Sequence, residues 1–221
     1  MANRKEKFVE GEYYHAYNRG TDKRSIFMDS EDLTRFIKSI EEFNVVQPIG
    51  SIYENSFIKD KEKNKLVNII CYALNPNHFH FLLTPLVENG VEKFMQKLGT
   101  GYTMYFNNKL KRKGSLFQGT FKSVYVDSNE YLLHLSAYIN LNDKVHQLGG
   151  LTSKLSKTSF GVYEGELNPK FDKILGDISI ITEQFKNPQE YKEFAEEILP
   201  DIVERKKLLK ELETLTLEEE D

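Results

Sequence analysis

The sequence contains no tryptophan, only one cysteine (Cys71) and no long apolar run. A lone cysteine cannot form an internal disulfide, so a reducing cytosol is the compartment that suits the chain. No apolar stretch approaches the roughly 18 residues of a membrane-spanning helix, and residues 1–7 lack the apolar core of a signal peptide. We therefore expect a cytoplasmic protein that makes no use of a membrane, with Cys71 buried in a strand.

The composition is that of a folded protein with an uneven distribution of charge. Hydrophobic residues make up 39% and charged residues 29% of the 221 residues, which is typical of globular domains. Residues 1–163 contain 22 basic and 17 acidic side chains, a net charge of +5, whereas residues 164–221 contain 8 and 17, a net charge of -9. The first part would favour a polyanion and the second would not.

Turn signals and apolar periodicity predict seven elements in the first two thirds of the chain. They are a strand at 12–18, a helix capped by Ser30, strands at 67–74 and 78–84, a helix at 91–110, a strand at 121–126, and a helix from Ser128 to about Leu141. The first six match the split βαβ, ferredoxin-like arrangement of an α+β fold. Residues 45–66 predict a loop or irregular hairpin, and the chain beyond residue 150 looks helical and acidic.

The strongest local signal is the pair His78 and His80 in the second strand of the hairpin. Side chains two residues apart in a strand point to the same face, so both imidazoles project together while Phe79 points to the opposite face. Two histidines placed in this way can hold one divalent metal ion. By itself the pattern is weak evidence for a metal site and favours two polar residues on a half-exposed strand.

A second signal lies in the helix that follows the last strand of the predicted sheet. Tyr138 and Asn142 are four residues apart, which places them on one helix face, one turn apart. Leu132, Leu135 and Ile139 form the adjacent apolar stripe, so Tyr138 lies at the edge of the buried surface. Alone, this is also the pattern of an ordinary amphipathic helix with a half-buried tyrosine.

Taken in order along the chain, these motifs resemble a known family, over roughly residues 10–145. The matching segments are Tyr14–Gly20, Asn75–Leu83, Leu116–Lys122, Tyr131–Leu133 and Tyr138–Asn142. The sequence resembles the REP-associated tyrosine transposases and the wider group of insertion-sequence-200-like, single-tyrosine HUH transposases. We therefore expect a transposase domain at residues 8–145, with the HUH motif on a central strand, and a mostly helical acidic extension at residues 146–221.

The resemblance implies a role for each matching side chain. His78 and His80 would be the metal-binding HUH pair, Asn142 would complete the metal site, and Tyr138 would be the catalytic nucleophile. The implied cofactor is Mg²⁺ or Mn²⁺, and the implied reaction is cleavage and rejoining of single-stranded DNA through a 5′-phosphotyrosine intermediate. The implied partner is single-stranded or hairpin DNA, with a homodimer possible, in a bacterial-type cytoplasm near the nucleoid.

Basic side chains beside aromatic residues are further candidates for contact with DNA phosphates. They are Arg19, Lys109, Lys111, Arg112, Lys113 and Lys122. For the basic run, the alternative is a solvated loop next to core aromatic residues; for Arg19, it is a role in the turn. His15 and His146 are interpreted as structural or surface residues, whereas His134, one turn before Tyr138, could tune the tyrosine or be solvated.

The chain departs from related sequences at three places. Asn142-Asp143-Lys144 replaces the common Asn-Pro that is followed by a basic segment, Thr120 stands where many carry arginine, and Asn140 stands where many carry histidine. These changes leave the proposed nucleophile and metal ligands intact and bear on the DNA target and the end of the helix.

Other functions are compatible with parts of the pattern. A domesticated protein could bind structured single-stranded DNA without cutting it, and replication initiators and relaxases share the HUH chemistry in larger, differently arranged domains. An RNA-binding ferredoxin-like module would account for basic and aromatic sheet residues, but it gives no reason for the complete catalytic set. The intact set of His78, His80, Tyr138 and Asn142 favours an active transposase.

Overall fold

The computed structural model describes residues 7–50, 64–146 and 154–218, with side chains described up to residue 208. The described strands are β1 (Tyr13–Arg19), β2 (Val67–Asn75), β3 (His78–Pro85), β4 (Lys122–Val126) and β5 (Lys157–Thr158). The α-helices are α1 (Ser30–Phe43), α2 (Gly90–Leu110), α3 (Asn129–Asn140), α4 (Asn142–Val145), α5 (Phe160–Tyr163), α6 (Ser179–Thr182) and α7 (Pro188–Glu218). Of the predicted loop at 45–66, residues 51–63 lie outside the described residues.

The described strands form one antiparallel sheet in the order β4-β1-β3-β2-β5. The first four strands in this order reproduce the ferredoxin-like split βαβ sheet, so the predicted fold is confirmed. β3, which carries the histidine pair, lies in the centre between β1 and β2. β5 was not predicted: its two residues extend the β2 edge, and so short a strand has no periodicity to detect.

Each face of the sheet has its own apolar core because side chains alternate along every strand. On one face, Leu74, Phe79 and Phe81 pack with side chains of α1 and α2. On the other, Ala73 and Leu82 pack with α3 and with side chains of the C-terminal segment. Cys71 is fully buried in this second core, as predicted. Residues of β2 and β3 are buried on both faces, which explains their nearly continuous apolar sequence.

Two helices begin directly after a side chain that accepts a hydrogen bond from one of the helix's first backbone N–H groups. Asp29, not Ser30, caps α1: its carboxylate accepts from the Asp32 backbone nitrogen at 2.9 Å, and the prediction was one residue late. Aspartate and serine are comparable N-caps, so the sequence could not separate two adjacent candidates. Ser128 caps α3 as predicted, accepting from the Tyr131 nitrogen at 3.3 Å.

The turn between β2 and β3 is held by the segment that follows β1. The Pro76 carbonyl accepts from the Ile26 nitrogen at 2.6 Å, and the Asn77 carbonyl accepts from the Gly20 nitrogen at 2.8 Å. A Cβ at Gly20 would collide with the Arg24 carbonyl oxygen, so the close approach of backbone requires glycine here. The end of β1 and the start of β3 are therefore fixed relative to each other.

The C-terminal segment packs closely against α3. Phe160, Tyr163 and Tyr191 belong to the same core as the apolar face of α3. Asn140, at the end of α3, donates to the Tyr191 hydroxyl at 2.7 Å and accepts from the Ser159 hydroxyl at 2.5 Å. The domain division at residues 8–145 and 146–221 stays a prediction, and residues 147–153 and 219–221 of the extension lie outside the described residues.

Removal of the Asn140 amide should weaken the attachment of the C-terminal segment. We expect Asn140→Ala to lower the free energy of unfolding by about 2 kcal/mol, because two buried hydroxyl groups each lose a hydrogen-bond partner. Urea unfolding monitored by circular dichroism measures the change. The exposed Asn108 on α2 gives the control, and Asn108→Ala should change stability by less than about 0.5 kcal/mol. Equal effects for the two variants would contradict this role of Asn140.

Candidate active site

The strand register places the histidine pair on the face of the sheet that α3 covers. In β3, His80 pairs with Tyr17 of β1 and with Ala73 of β2, and His78 pairs with Arg19 and Asn75. Residues paired directly across antiparallel strands project to the same face. His78 and His80 therefore share the face of Ala73 and the α3 core, and their ring centroids are 5.2 Å apart.

Hydrogen bonds define the proton position on His78. Asn77 donates its amide nitrogen to the Lys23 carbonyl at 3.2 Å, which turns the Asn77 amide oxygen towards His78. That oxygen lies 2.6 Å from His78 Nδ1 and can only accept, so Nδ1 carries the proton. His78 Nε2 therefore presents a lone pair, and it accepts from the Asn75 amide nitrogen at 2.9 Å.

Tyr138 and Asn142 lie on one side of a nearly continuous helix, although α3 ends at Asn140 and Asn142 begins α4. The Tyr138 ring stands edge-on to His80, with centroids 5.5 Å apart. Asn142 is fully buried, and its amide oxygen accepts from Asn75 at 2.6 Å and lies 3.4 Å from His78 Nε2. The structure thus brings His78, His80, Tyr138 and Asn142 together within a single chain.

His15 and His146, which the sequence alone did not assign to the site, both lie in it. His15 Nε2 is 2.8 Å from His80 Nδ1, and the His15 ring stacks on Tyr17. When His80 Nδ1 donates to His15, His80 Nε2 is left with a free lone pair. The His146 ring lies 4.6 Å from the His78 ring, and its buried Nε2 has no hydrogen-bond partner.

The sequence pattern around His15 and His146 could identify them as site residues only once the strand pairing and the helix positions were known. His15, Tyr17 and Arg19 alternate along β1, but without the pairing of β1 with β3 nothing indicates which face they share. His146 is four residues after Asn142, one further turn, but the sequence does not show that α4 continues the same face. His134, by contrast, lies 6.2 Å from Phe194 of α7, ring to ring, and packs against the C-terminal helix.

Burial determines the protonation of the site. It lowers the pKa of His15 and of His78 to about 4 and that of His146 to about 3, and it lowers the pKa of His80 as well. The histidines are therefore neutral at pH 7, with lone pairs available to a metal ion. Burial raises the pKa of Tyr138, and a side-chain hydrogen bond from Asn142 acts in the opposite direction.

A lysine from the acidic C-terminal segment reaches the same region. Lys206 of α7 donates to the Val145 carbonyl at 3.4 Å. After burial, its charge is among the causes that lower the pKa of His78, His80 and His146. The C-terminal helix thus contributes a positive charge beside the histidines, which its net charge alone would not indicate.

The six predicted DNA-binding side chains lie in different parts of the fold. Lys122 of β4 pairs with Tyr17, and Arg19 pairs with His78, so both lie on the site face, where Arg19 also donates to Gln118. Lys109 instead binds Asp29 and Asp32, each at 2.8 Å, near the start of α1.

The rest of the basic run follows α2. Arg112 donates to Asn107 and to the Ser115 carbonyl, each at 3.0 Å. Lys111 and Lys113 are exposed. The structure therefore brings Arg19 and Lys122 to the site face, whereas Lys109 binds carboxylates near the start of α1 and Arg112 binds groups near the end of α2. The DNA contacts themselves stay predictions.

The side chains around His78 suit a divalent cation. His78 Nε2 and Asn142 Oδ1 converge on the same amide nitrogen of Asn75, and the Asn75 amide oxygen is buried without a hydrogen-bond partner. Neutral imidazole and amide oxygen are both donors that divalent ions accept. Within the described residues, no three His, Cys, Asp or Glu side chains are grouped to hold a metal ion; the predicted set contains two histidines and an amide.

Comparison with known proteins shows the family of this chain. Residues 9–142 match the family model of IS200-like transposases, which is more than half of the chain. The chain belongs to the IS200-like transposase family. The matched segment runs from just before β1 to Asn142 and thus includes the histidine pair and Tyr138.

Among the solved structures that are similar to this IS200-like transposase, one shows the fold with its DNA. It is a REP-associated tyrosine transposase bound to a REP hairpin, with a TM-score of 0.50 and 15% sequence identity over 80% of this chain and 93% of that chain. At this identity the likeness concerns the fold, which it confirms. A search of curated proteins found no match. Among the described residues, no helix is long and apolar enough to cross a membrane.

The structure also gives a reason for one departure from related IS200-like sequences. Asn140 is fully buried and bonded to Tyr191 and Ser159, so in this chain the position serves the attachment of the C-terminal segment. Thr120 is exposed before β4, and nothing in the structure explains the threonine.

The buried neutral histidines predict a pH dependence of stability in the metal-free protein. The unfolded chain takes up protons on these histidines below about pH 6.5, whereas folded His15 and His78 take them up only near pH 4. The free energy of unfolding should therefore fall as the pH is lowered from 6.5 towards 4.

Urea unfolding in the presence of a chelator, at pH 7, 6 and 5, measures this loss. In His146→Gln one such proton site is absent, so the fall should be shallower by up to about 1.4 kcal/mol per pH unit. Parallel curves for wild type and variant would show that His146 is not held neutral by burial.

Proposed function

We propose that this protein cuts and rejoins single-stranded DNA, with Tyr138 as the nucleophile and a Mg²⁺ or Mn²⁺ ion held by His78, His80 and Asn142. The observation that carries the proposal is the placement of the Tyr138 ring 5.5 Å from the ring of His80, beside lone pairs of His78 and Asn142 that converge on one point. Membership of the family supports the DNA-processing reaction.

The proposed reaction conserves the phosphodiester bond energy. The Tyr138 oxygen attacks the scissile phosphorus, forms a bond to the 5′ phosphate, and the 3′ oxygen leaves as a hydroxyl after taking up a proton. Attack by a 3′ hydroxyl on the phosphotyrosine then forms a new phosphodiester and releases Tyr138. No nucleotide cofactor is needed, because one phosphate ester is exchanged for another at each step.

The neighbouring side chains prepare Tyr138 for this role. Burial favours the neutral phenol, while the hydrogen bond from Asn142 favours the phenolate that attacks. A divalent ion would polarise the scissile phosphate and stabilise the charge that develops on its oxygens. His15, bonded to His80 at 2.8 Å, holds that ring in place, and a ligand held by a second side chain loses less freedom on binding.

The substrate that we propose is hairpin or repeat DNA with a single-stranded flank. The related solved structure is bound to a REP hairpin, and Arg19 and Lys122 lie on the site face, where they would contact phosphates. His78, His80, Tyr138 and Asn142 lie together within this single chain, and whether Tyr138 acts in its own chain or in that of a partner stays open. The homodimer and the nucleoid-associated, cytoplasmic location stay predictions.

Covalent capture tests the nucleophile directly. Full-length wild-type protein incubated with end-labelled hairpin DNA and Mn²⁺ should give a protein–DNA adduct on a denaturing gel, and Tyr138→Phe should give none. Tyr131→Phe is the matched control, because Tyr131 lies two turns earlier on α3 and is also half-buried. It should retain the adduct.

An adduct that persists in Tyr138→Phe would assign the nucleophile elsewhere. Hairpin binding without any adduct, over a panel of repeats with different flanks and with both metals, would favour the domesticated DNA-binding protein. Melting temperatures of the two phenylalanine variants close to that of wild type show that the loss is chemical, because each change removes only a hydroxyl.

Neutralisation of the basic side chains on the site face tests DNA binding separately. Arg19→Gln and Lys122→Gln should each raise the Kd for hairpin DNA, and each should reduce the slope of log K against log salt by about 1. The control is Lys186→Gln, which removes the same charge from a side chain that is 89% exposed. Lys186 lies two residues after Gln184, and Gln184 binds Asn129 at the end of α3 that is farther from the site. Fluorescence anisotropy at several salt concentrations gives both quantities. The same effect for Lys186→Gln would mean that only net charge matters.

A further inference from the structure

Two lone pairs in the site are directed by backbone carbonyl groups. The Lys23 carbonyl orients the Asn77 amide, which holds the proton on His78 Nδ1 and leaves the lone pair on Nε2. The Tyr138 carbonyl accepts from the Asn142 amide nitrogen at 3.5 Å, which leaves the Asn142 amide oxygen facing the other way. Both directions follow from groups that can only accept a hydrogen bond.

Both lone pairs point at Asn75. Its amide nitrogen lies 2.9 Å from His78 Nε2 and 2.6 Å from Asn142 Oδ1, so one donor bridges the two proposed metal ligands. Two acceptors that face each other in this way suit a cation. Here the partial positive charge of the Asn75 N–H groups takes the place of a cation. The two lone pairs are therefore directed into the space between His78, Asn142 and the end of the Asn75 amide.

The other end of the Asn75 amide is unusual. Asn75 is fully buried, at 0% exposure, and its amide oxygen has no hydrogen-bond partner. A buried carbonyl oxygen without a partner is unfavourable and is uncommon in proteins. Rotation of the amide by half a turn about its last side-chain bond would exchange the two ends and place this oxygen where the nitrogen now lies.

We propose that Asn75 is a metal ligand that exchanges its two ends: its nitrogen bridges His78 and Asn142 in the metal-free protein, and its oxygen faces the ion when the metal binds. The inference rests on the divalent metal of the proposed function. Oxygen is the donor that Mg²⁺ and Mn²⁺ prefer, and Asn75 would balance a ligand set that otherwise contains two imidazoles and one amide. The residue is held in place by its pairing with His78 across the hairpin.

The affinity for Mn²⁺ alone, without DNA, tests the inference. Isothermal titration of the full chain should give a Kd for Asn75→Leu at least about tenfold above that of wild type, because a ligand oxygen is lost. Asn75→Asp, which keeps an oxygen and adds a negative charge, should bind at least as tightly as wild type. The pair of variants separates loss of a ligand from loss of shape, since leucine and aspartate are both close to asparagine in size.

The outcomes that contradict the inference are distinct. If the Asn75 nitrogen only competes with the ion, Asn75→Leu will bind Mn²⁺ as tightly as wild type or more tightly. If Asn75 is only a structural link, Asn75→Asp will lose affinity together with Asn75→Leu. Loss of binding in His78→Gln with no change in Asn75→Leu would overturn the role of Asn75 alone, whereas no Mn²⁺ binding by wild type would overturn the metal of the proposed function as well.

A spectroscopic measurement follows the exchange itself. In ¹⁵N-labelled protein, the side-chain NH₂ signals of Asn75, assigned by their absence in Asn75→Asp, should shift when Mg²⁺ is added, because the amide nitrogen leaves its two acceptors. Asn140 is the internal control: its amide is bonded to Tyr191 and Ser159 and should keep its shift. An unchanged Asn75 signal at saturating Mg²⁺ would contradict the exchange.

Discussion

The pairing of β3 between β1 and β2 is the constraint on which the site depends. Because strand side chains alternate, a slip of one residue would turn His78 and His80 into the core of α1 and α2 and bring Phe79 to the side of Tyr138. The turn before β3 is therefore clasped from outside by the segment after β1, through hydrogen bonds from Ile26 and Gly20. Glycine at position 20 lets this segment fold tightly, because a Cβ there would collide with the Arg24 carbonyl oxygen.

Around the paired strands, each polar side chain of the site is oriented by a hydrogen bond to its neighbour, so the contacts depend on one another. Backbone carbonyl groups can only accept, so the Lys23 and Tyr138 carbonyls decide which ends of Asn77 and Asn142 face the site. Burial then keeps the histidines neutral, which is the form that binds metal. The same low-polarity surroundings that make the histidines available also raise the pKa of Tyr138, so its activation needs a positive charge or a hydrogen bond beside the phenol.

The acidic C-terminal segment is part of the support of the site and not only an addition to it. It buries the outer side of α3 through Tyr163 and Tyr191, holds the end of that helix through Asn140, and brings Lys206 to the edge of the histidine cluster. The net negative charge of this segment would suggest that it stays away from a site for DNA, whereas the structure brings one of its lysines there. The side chains that matter are selected by helix geometry, which places one residue in three or four on a given face.

The sequence by itself determined the element order, the antiparallel hairpin and the ferredoxin-like class, because those depend on local periodicity. Its ordered motifs also selected His78, His80, Tyr138 and Asn142, whose roles stay predictions. The α1 cap was one residue late because Asp29 and Ser30 are both good caps, and β5 was missed because two residues carry no period. Only the tertiary structure decided that His15 and His146 contact the histidine pair and that Asn75 reaches Asn142. It also decided that Lys206 binds the Val145 carbonyl near these histidines, and that Lys109 binds the carboxylates near the start of α1. These contacts join elements far apart in the chain, and their formation depends on strand register and helix packing, which local sequence does not encode.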